Sequence, residues 1–139
     1  MFEIVDSYIY FYLSIRWIID SHLDLPKACP VAREMIENDV SAVVVVDEND
    51  KLVGIVTERD MTRRVVAECR DANSITLKDI MTADPETLAP DDLAHEALSR
   101  MLQRGFRHLP VVEEGHAVGM VSMRNLQKSI ANYSAKIGI

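Results

Sequence analysis

Cysteine, glycine, proline and surplus positive charge are all scarce in this chain of 139 residues. Its two cysteines, Cys29 and Cys69, have no CxxC or CxxH spacing around them. That excludes a disulfide framework and a thiolate metal cluster, and free thiols in a reducing cytoplasm are expected. Fifteen Lys and Arg stand against twenty-two Asp and Glu, a formal net charge of −7. A phosphate-backbone binder needs a basic stripe to replace condensed counterions, so no nucleic-acid partner is expected. No long hydrophobic run occurs either. The uncharged stretch 7–15, bracketed by Asp6 and Arg16, is far short of the roughly twenty apolar residues of a membrane span. The N-terminus lacks the basic start and small-residue cleavage site of a secretory signal. There is no nucleophile elbow, P-loop or HExxH, so neither a catalytic residue nor a metal site is assigned and the chain is read as a non-enzyme.

What is present is an ordinary globular composition, 48% hydrophobic and 27% charged, in a chain large enough to bury a core without covalent staples. The aromatics are crowded into the start: Phe2, Tyr8, Tyr10, Phe11, Tyr12 and Trp17 lie within the first twenty residues. This N-terminal arm, residues 1–22, is read as a helix that packs on the domain or on a second copy.

The chain repeats itself. "VVVVDENDKLVGIVTERD" (43–60) aligns with "LPVVEEGHAVGMVSMRN" (109–125), with one extra residue in the first turn. Upstream, "AREMIENDVSA" (32–42) aligns with "LSRMLQRGFRH" (98–108), which places Met35 on Met101. Each copy opens with a helical pattern, carried by Val31, Met35 and Ile36 in one and by Ala94, Ala97, Leu98, Met101 and Leu102 in the other. Asp91 and Asp92 are placed to cap the second of these helices. Two β-branched strands and a closing helix follow in each copy, the helices near 58–68 and 123–133. A helix–strand–turn–strand–helix unit cannot bury its own apolar face, so two are expected to pack together. The segment 73–92, with Pro85 and Pro90, reads as the linker.

"GIVTERD" (54–60) carries two readings. Thr57 followed three positions later by Asp60 is the pattern of a capping box, in which each residue's side chain bonds the other's backbone N–H. The same hydroxyl and carboxylate, beside a helix N-terminus with unpaired N–H groups, also suit the ribose and phosphate of a nucleotide. Arg59, Arg63 and Arg64 read either as a solvated helix face or as a phosphate site.

The set "SAVVVVD…LVGIVTERD", "DIMT…P.T" and "RGFRHLPVVE…AVGMVSMRN" resembles a tandem pair of CBS domains, the cystathionine β-synthase type, over about residues 24–131. The resemblance implies an α/β (α+β) fold of two pseudo-symmetric helix–strand–strand–helix repeats with two clefts between them. The division it suggests is the arm at 1–22, repeat 1 at 23–72, and linker plus repeat 2 at 73–139. It also implies a homodimer, a flat disc of four CBS domains, and adenosyl ligands: AMP, ADP, ATP or S-adenosylmethionine, with or without Mg, and no obligatory cofactor.

Carried over residue by residue, the resemblance places ribose on Thr57 and Asp60, with Arg59 beside them. It places adenine against Ile80, Met81 and Thr82, and phosphate near Arg107 and His108. The first-repeat counterpart of Arg107-His108 is the uncharged Ser41-Ala42. The second copy keeps Ser122 but has Asn125 in place of the acid, and no "DIMT" precedes repeat 1. One competent site is therefore expected, on Thr57 and Asp60, with a weaker second site on Ser122 and Asn125.

Two functions follow. One is a cytoplasmic regulatory module that senses an adenosyl nucleotide. Repeats and arm account for the whole chain, so its output is expected to pass to a separate effector protein. The other is a ligand-free oligomerisation scaffold that works through the arm.

Overall fold

The computed structural model describes residues 2–5, 8–11, 16–19 and 25–138. They form two compact units, Ile15–Pro85 and Met1–Ser14 with Glu86–Ile139. The division differs from the arm–repeat–repeat order of the sequence. Residues 73–85 of the linker belong with repeat 1, and the described residues 2–5 and 8–11 belong with repeat 2.

Three short strands open the chain: β1 (Phe2–Val5), β2 (Tyr8–Phe11) and β3 (Arg16–Ile19). The expected helical arm is thus corrected to strand at every described position. The reason lies in composition. Phe, Tyr, Trp, Ile and Val fit a pleated surface better than a helix, and each strand has a backbone partner. β1 and β2 pair antiparallel, with Phe2 opposite Phe11.

The repeat 1 unit is built from β3, α1 (Ala28–Glu37), β4 (Ala42–Asp47) and β5 (Leu52–Thr57), followed by α2 (Glu58–Met61). α2 runs on into a π-helical turn, Thr62–Val66, and α3 (Leu77–Ile80) and β6 (Thr82–Ala83) complete the unit. The sheet order is β3-β4-β5-β6, parallel between β3 and β4 and antiparallel elsewhere. Five consecutive residues of β4, Ala42 to Val46, are buried, as a strand covered on both faces requires. α1 turns Ala28, Val31 and Met35 onto Val43, Val45, Val56, Leu77 and Ile80.

The repeat 2 unit contains α4 (Ala94–Arg104), β7 (His108–Glu113), β8 (His116–Ser122) and α5 (Met123–Ile137), with the β1–β2 hairpin beside β8 and α5. Its core joins Ala94, Ala97 and Met101 to Leu88, Leu109, Val111, Val121 and Leu126. α4 ends at Gly105, whose left-handed φ of 76° allows its N–H to reach the Met101 carbonyl at 2.8 Å. Asp92 does not cap α4, whose N-cap is Leu93. Asp92 accepts instead from Ala89 N at 2.9 Å and faces Arg100 at 3.7 Å. Arg100 and Arg104 together hold Glu86, at 2.6 and 3.2 Å.

The duplication extends to detail. Ala42 pairs with Thr57 as His108 pairs with Ser122, and both hairpins shift register at the aligned steps Val45/Val46 and Val111/Val112. Glu58 N donates to Ser41 O at 3.0 Å as Met123 N donates to Arg107 O at 2.8 Å. Even the parallel strand recurs in reduced form: Leu88 bridges Val111, where β3 sets Trp17 beside the aligned Val45.

Both cysteines are free thiols. No helix among the described residues is long and apolar enough to cross a membrane.

Candidate functional site

The junction of β5 and α2 is a complete capping box. Thr57 is extended at φ −117°, and its hydroxyl oxygen accepts from Asp60 N at 3.2 Å. Asp60 Oδ2 accepts in return from Thr57 N at 2.9 Å and from Thr57 Oγ1 at 3.1 Å. One carboxylate oxygen therefore makes the carboxylate's entire share of the cap. The other, Oδ1, has long contacts only among the described residues: Thr82 Oγ1 at 3.5 Å and Arg64 Nε at 4.0 Å. The Asp60 side chain is 13% exposed, so a carboxylate oxygen with spare acceptor capacity lies at a nearly closed surface. Such an oxygen makes stronger hydrogen bonds than a neutral one.

Thr82 reaches Asp60 because the chain from α3 into β6 lies close on β5. Gly54 faces Ala83 and Ile55 faces Thr82. A Cβ on Gly54 would stand 2.7 Å from Met81 Sδ and 3.0 Å from the Thr82 carbonyl oxygen. Glycine at position 54 is what admits this approach. α3 begins with its own acid-and-threonine pair: Asp79 Oδ2 accepts from Thr76 Oγ1 at 2.8 Å and Thr76 N at 3.2 Å. Those bonds, the hydroxyl's first, hold the Asp79 carboxyl below the ordinary carboxylate value. Asp79 of "DIMT" is thus spent on the fold, and Thr82 is the residue of that motif that meets Asp60.

Arg64 contributes what the sequence did not show. It donates from Nη1 to the carbonyls of Ile80 at 3.1 Å and Met81 at 2.7 Å. The only sign of it in the sequence is its place four residues after Asp60.

The expected site residues fall into two groups. Thr57, Arg59, Asp60, Ile80, Met81 and Thr82 lie in the repeat 1 unit, with Arg59 exposed and Met81 and Thr82 half-buried. The Ile80 side chain is wholly buried in the core, so it offers a ligand no face. Arg107 and His108 lie in the repeat 2 unit, at the head of β7, where His108 is paired with Ser122. There Ser122 caps α5, accepting from Asn125 N at 3.1 Å. Asn125 is exposed.

A cavity of about 380 Å³ lies in the repeat 1 unit, lined by Ile19, Leu25, Val53 and Met81, with Asp47, Glu48 and Lys78 at its polar side. It meets the Thr57–Asp60 site only at Met81, so the polar geometry rather than the cavity locates the site. No group of His, Cys, Asp or Glu among the described residues could hold a metal ion.

The CBS domain family model matches residues 30–67 and 77–132. An uncharacterised protein of Methanopyrus kandleri is 34% identical over 71% of this chain and 51% of its own length. An uncharacterised 17.7 kDa protein of Acidianus ambivalens is 39% identical over 71% of this chain and 59% of its own. The chain thus spans little more than half the length of these relatives. Among solved structures, one described as a signal-transduction protein with CBS domains from Burkholderia ambifaria is 30% identical. It has a TM-score of 0.75 and is covered over 84% of its length by 86% of this chain. A CBS domain pair solved in complex with 5′-methylthioadenosine and S-adenosyl-L-methionine shares the fold. It is 24% identical with a TM-score of 0.72, over 86% of this chain and 93% of that one. With two matched repeats, a shared register shift and a capping acid at the end of the first hairpin, this chain belongs to the CBS domain family.

Proposed function

We propose that the chain is a regulatory, non-catalytic module that binds an adenosyl ligand at the Thr57–Asp60–Thr82 site and reports the bound state to a separate effector protein. The observation that carries this reading is the division of labour on Asp60. Oδ2 is consumed by the cap, while Oδ1 keeps acceptor capacity toward Thr82. A ribose diol donates two hydroxyl protons, and a charged oxygen at a nearly closed surface suits it. The complex of a structurally similar CBS pair with 5′-methylthioadenosine and S-adenosyl-L-methionine supports the ligand class. AMP, ADP and ATP, with or without Mg, belong to the same proposal.

In this reading Met81 and Thr82 meet the adenosyl group and Arg59 its phosphate; Arg107 and His108 are the phosphate candidates of the second repeat. Ser122 and Asn125 form the weaker second site, because Asn125 brings no charge. Regulation requires that the ligand favour one arrangement of the protein over another. Self-association belongs to the proposal too. Ile36 and Leu102, at aligned positions of the two repeats, are 78% and 63% exposed, as an interface with a second copy would use. The scaffold alternative loses support from the arm itself, since the backbone of β3 pairs with β4 within the chain.

A thermal-melt panel tests the proposal with AMP, ADP, ATP, S-adenosylmethionine and 5′-methylthioadenosine, with and without Mg²⁺. A ligand at about a hundred times its Kd adds about 2.7 kcal/mol to the folded state, a rise of several degrees for a domain of this size. No shift with any of the five contradicts the adenosyl reading.

A further inference from the structure

We infer that Arg64 is a positioning residue of the ligand site, a guanidinium clamp that sets where Thr82 stands relative to Asp60. The inference rests on the adenosyl reading for its ligand but not for its geometry. α3 is a single turn, and β6, which follows it, is only two residues long. A single turn has almost no internal hydrogen bonds, and its last carbonyls need outside donors. Arg64 supplies them at Ile80 and Met81, the two residues immediately before Thr82. The same side chain brings Nε to 4.0 Å from Asp60 Oδ1. One group therefore touches both halves of the site.

The helix is shaped for this contact. Arg64 sits in the middle of the π-helical turn Thr62–Val66, where Ala67 N bonds Thr62 O at 2.8 Å, five residues back. Such turns are uncommon and concentrate at functional sites, since the extra residue re-aims side chains relative to a regular α-helix. Here the turn holds Arg64 half-buried while its neighbours Arg63 and Val66 are exposed. A solvated helix face gives no reason for that difference; two backbone carbonyls to satisfy do. Gly54 lies so close to the same segment that a Cβ there would meet Met81 Sδ and the Thr82 carbonyl, so Met81 and Thr82 have little room beside the β5 backbone as well as a charged donor. Nη1 serves both carbonyls while Nε of the same rigid plane faces Asp60 Oδ1, a division that a lysine ammonium, a single point charge, does not reproduce.

The test compares wild type, Arg64→Gln and Arg64→Lys, at a temperature well below melting. Calorimetry would measure affinity for AMP and 5′-methylthioadenosine, and amide hydrogen exchange without ligand would follow Thr82 and Ala83. Expected for Arg64→Gln is a loss of about tenfold or more, equal for the two ligands, with faster exchange confined to those amides. Arg64→Lys should recover little of either. Loss for AMP alone would make Arg64 a phosphate contact and overturn the inference, as would wild-type affinity in Arg64→Gln or full recovery in Arg64→Lys. If the wild type binds neither of these two probes, exchange alone decides the clamp: faster at Thr82 and Ala83 in Arg64→Gln upholds it, unchanged overturns it.

Discussion

Asp60 and Thr82, twenty-two residues apart in sequence, approach to 3.5 Å between Oδ1 and Oγ1, while the opposite oxygen of Asp60 holds the N-terminus of α2. The capping box and the proposed ligand site therefore share one carboxylate. A cap would be served equally well by an acid that faced nothing else. Its second oxygen ties the end of the first hairpin to the strand that enters from the linker.

The two roles separate in energy. Thr57→Ala removes the hydroxyl half of the box and should cost about 0.5–2 kcal/mol, read as a lower urea midpoint with an unchanged m-value. Asp60→Ala should cost a similar amount and in addition abolish adenosyl binding. A stability loss in both variants with binding intact in Asp60→Ala would leave the motif a cap alone.

Gly54→Ala should destabilise the repeat 1 unit by about 1–3 kcal/mol, the usual cost of overpacking. The new methyl meets Met81 Sδ at 2.7 Å and the Thr82 carbonyl at 3.0 Å. Met81 is flexible and can retreat; the carbonyl belongs to backbone. A second change, Met81→Ala, should therefore recover only part of the loss in a double-mutant cycle.

Asp79 should matter wherever its carboxylate is ionised and cease to matter in acid. Its folded pKa lies below the ordinary value of 3.8, first through the Thr76 hydroxyl and then through the Thr76 N–H. A depressed carboxylate contributes stability that is fully present above the unfolded pKa and is lost as pH falls through the folded one. Asp79→Asn should thus melt lower than wild type at pH 7, and the gap should close as pH drops below about 3.8.

Met35 and Met101 occupy matched positions and are 3% and 0% exposed. Truncation of either to alanine should cost about 2–5 kcal/mol, measured by urea denaturation. A cost below 1 kcal/mol at one of them would mean that the two cores are not equivalent.

The sequence revealed most where the physics is local or repeated. The helices around Met35 and Met101, the β-branched β4 and the Thr57–Asp60 box each follow from spacing within a short window, and the second copy repeats the helix and hairpin and, at Ser122, the hydroxyl half of the box. The arm was misread because its uncharged, aromatic-rich run carries no clear period. What makes it strand is pairing, of β1 with the neighbouring β2 and of β3 with the distant β4, and no local window contains the second. The carbonyl contacts of Arg64, read from sequence as a solvated face or a phosphate site, are hidden for the same reason. Its carbonyl partners lie sixteen and seventeen residues away, and a helix-surface arginine looks alike whether it meets solvent or backbone. Asp91 and Asp92 had the composition of a cap, but Asp92 is drawn to Ala89 N and Arg100 instead.

The most direct measurement is calorimetric titration of S-adenosylmethionine, AMP and ATP into wild type, Asp60→Ala and Asn125→Ala. Expected is saturable binding of at least one of the three to wild type, retained in Asn125→Ala and absent in a folded Asp60→Ala. Binding that survives Asp60→Ala but disappears in Asn125→Ala would place the ligand on the second repeat and contradict the site described here.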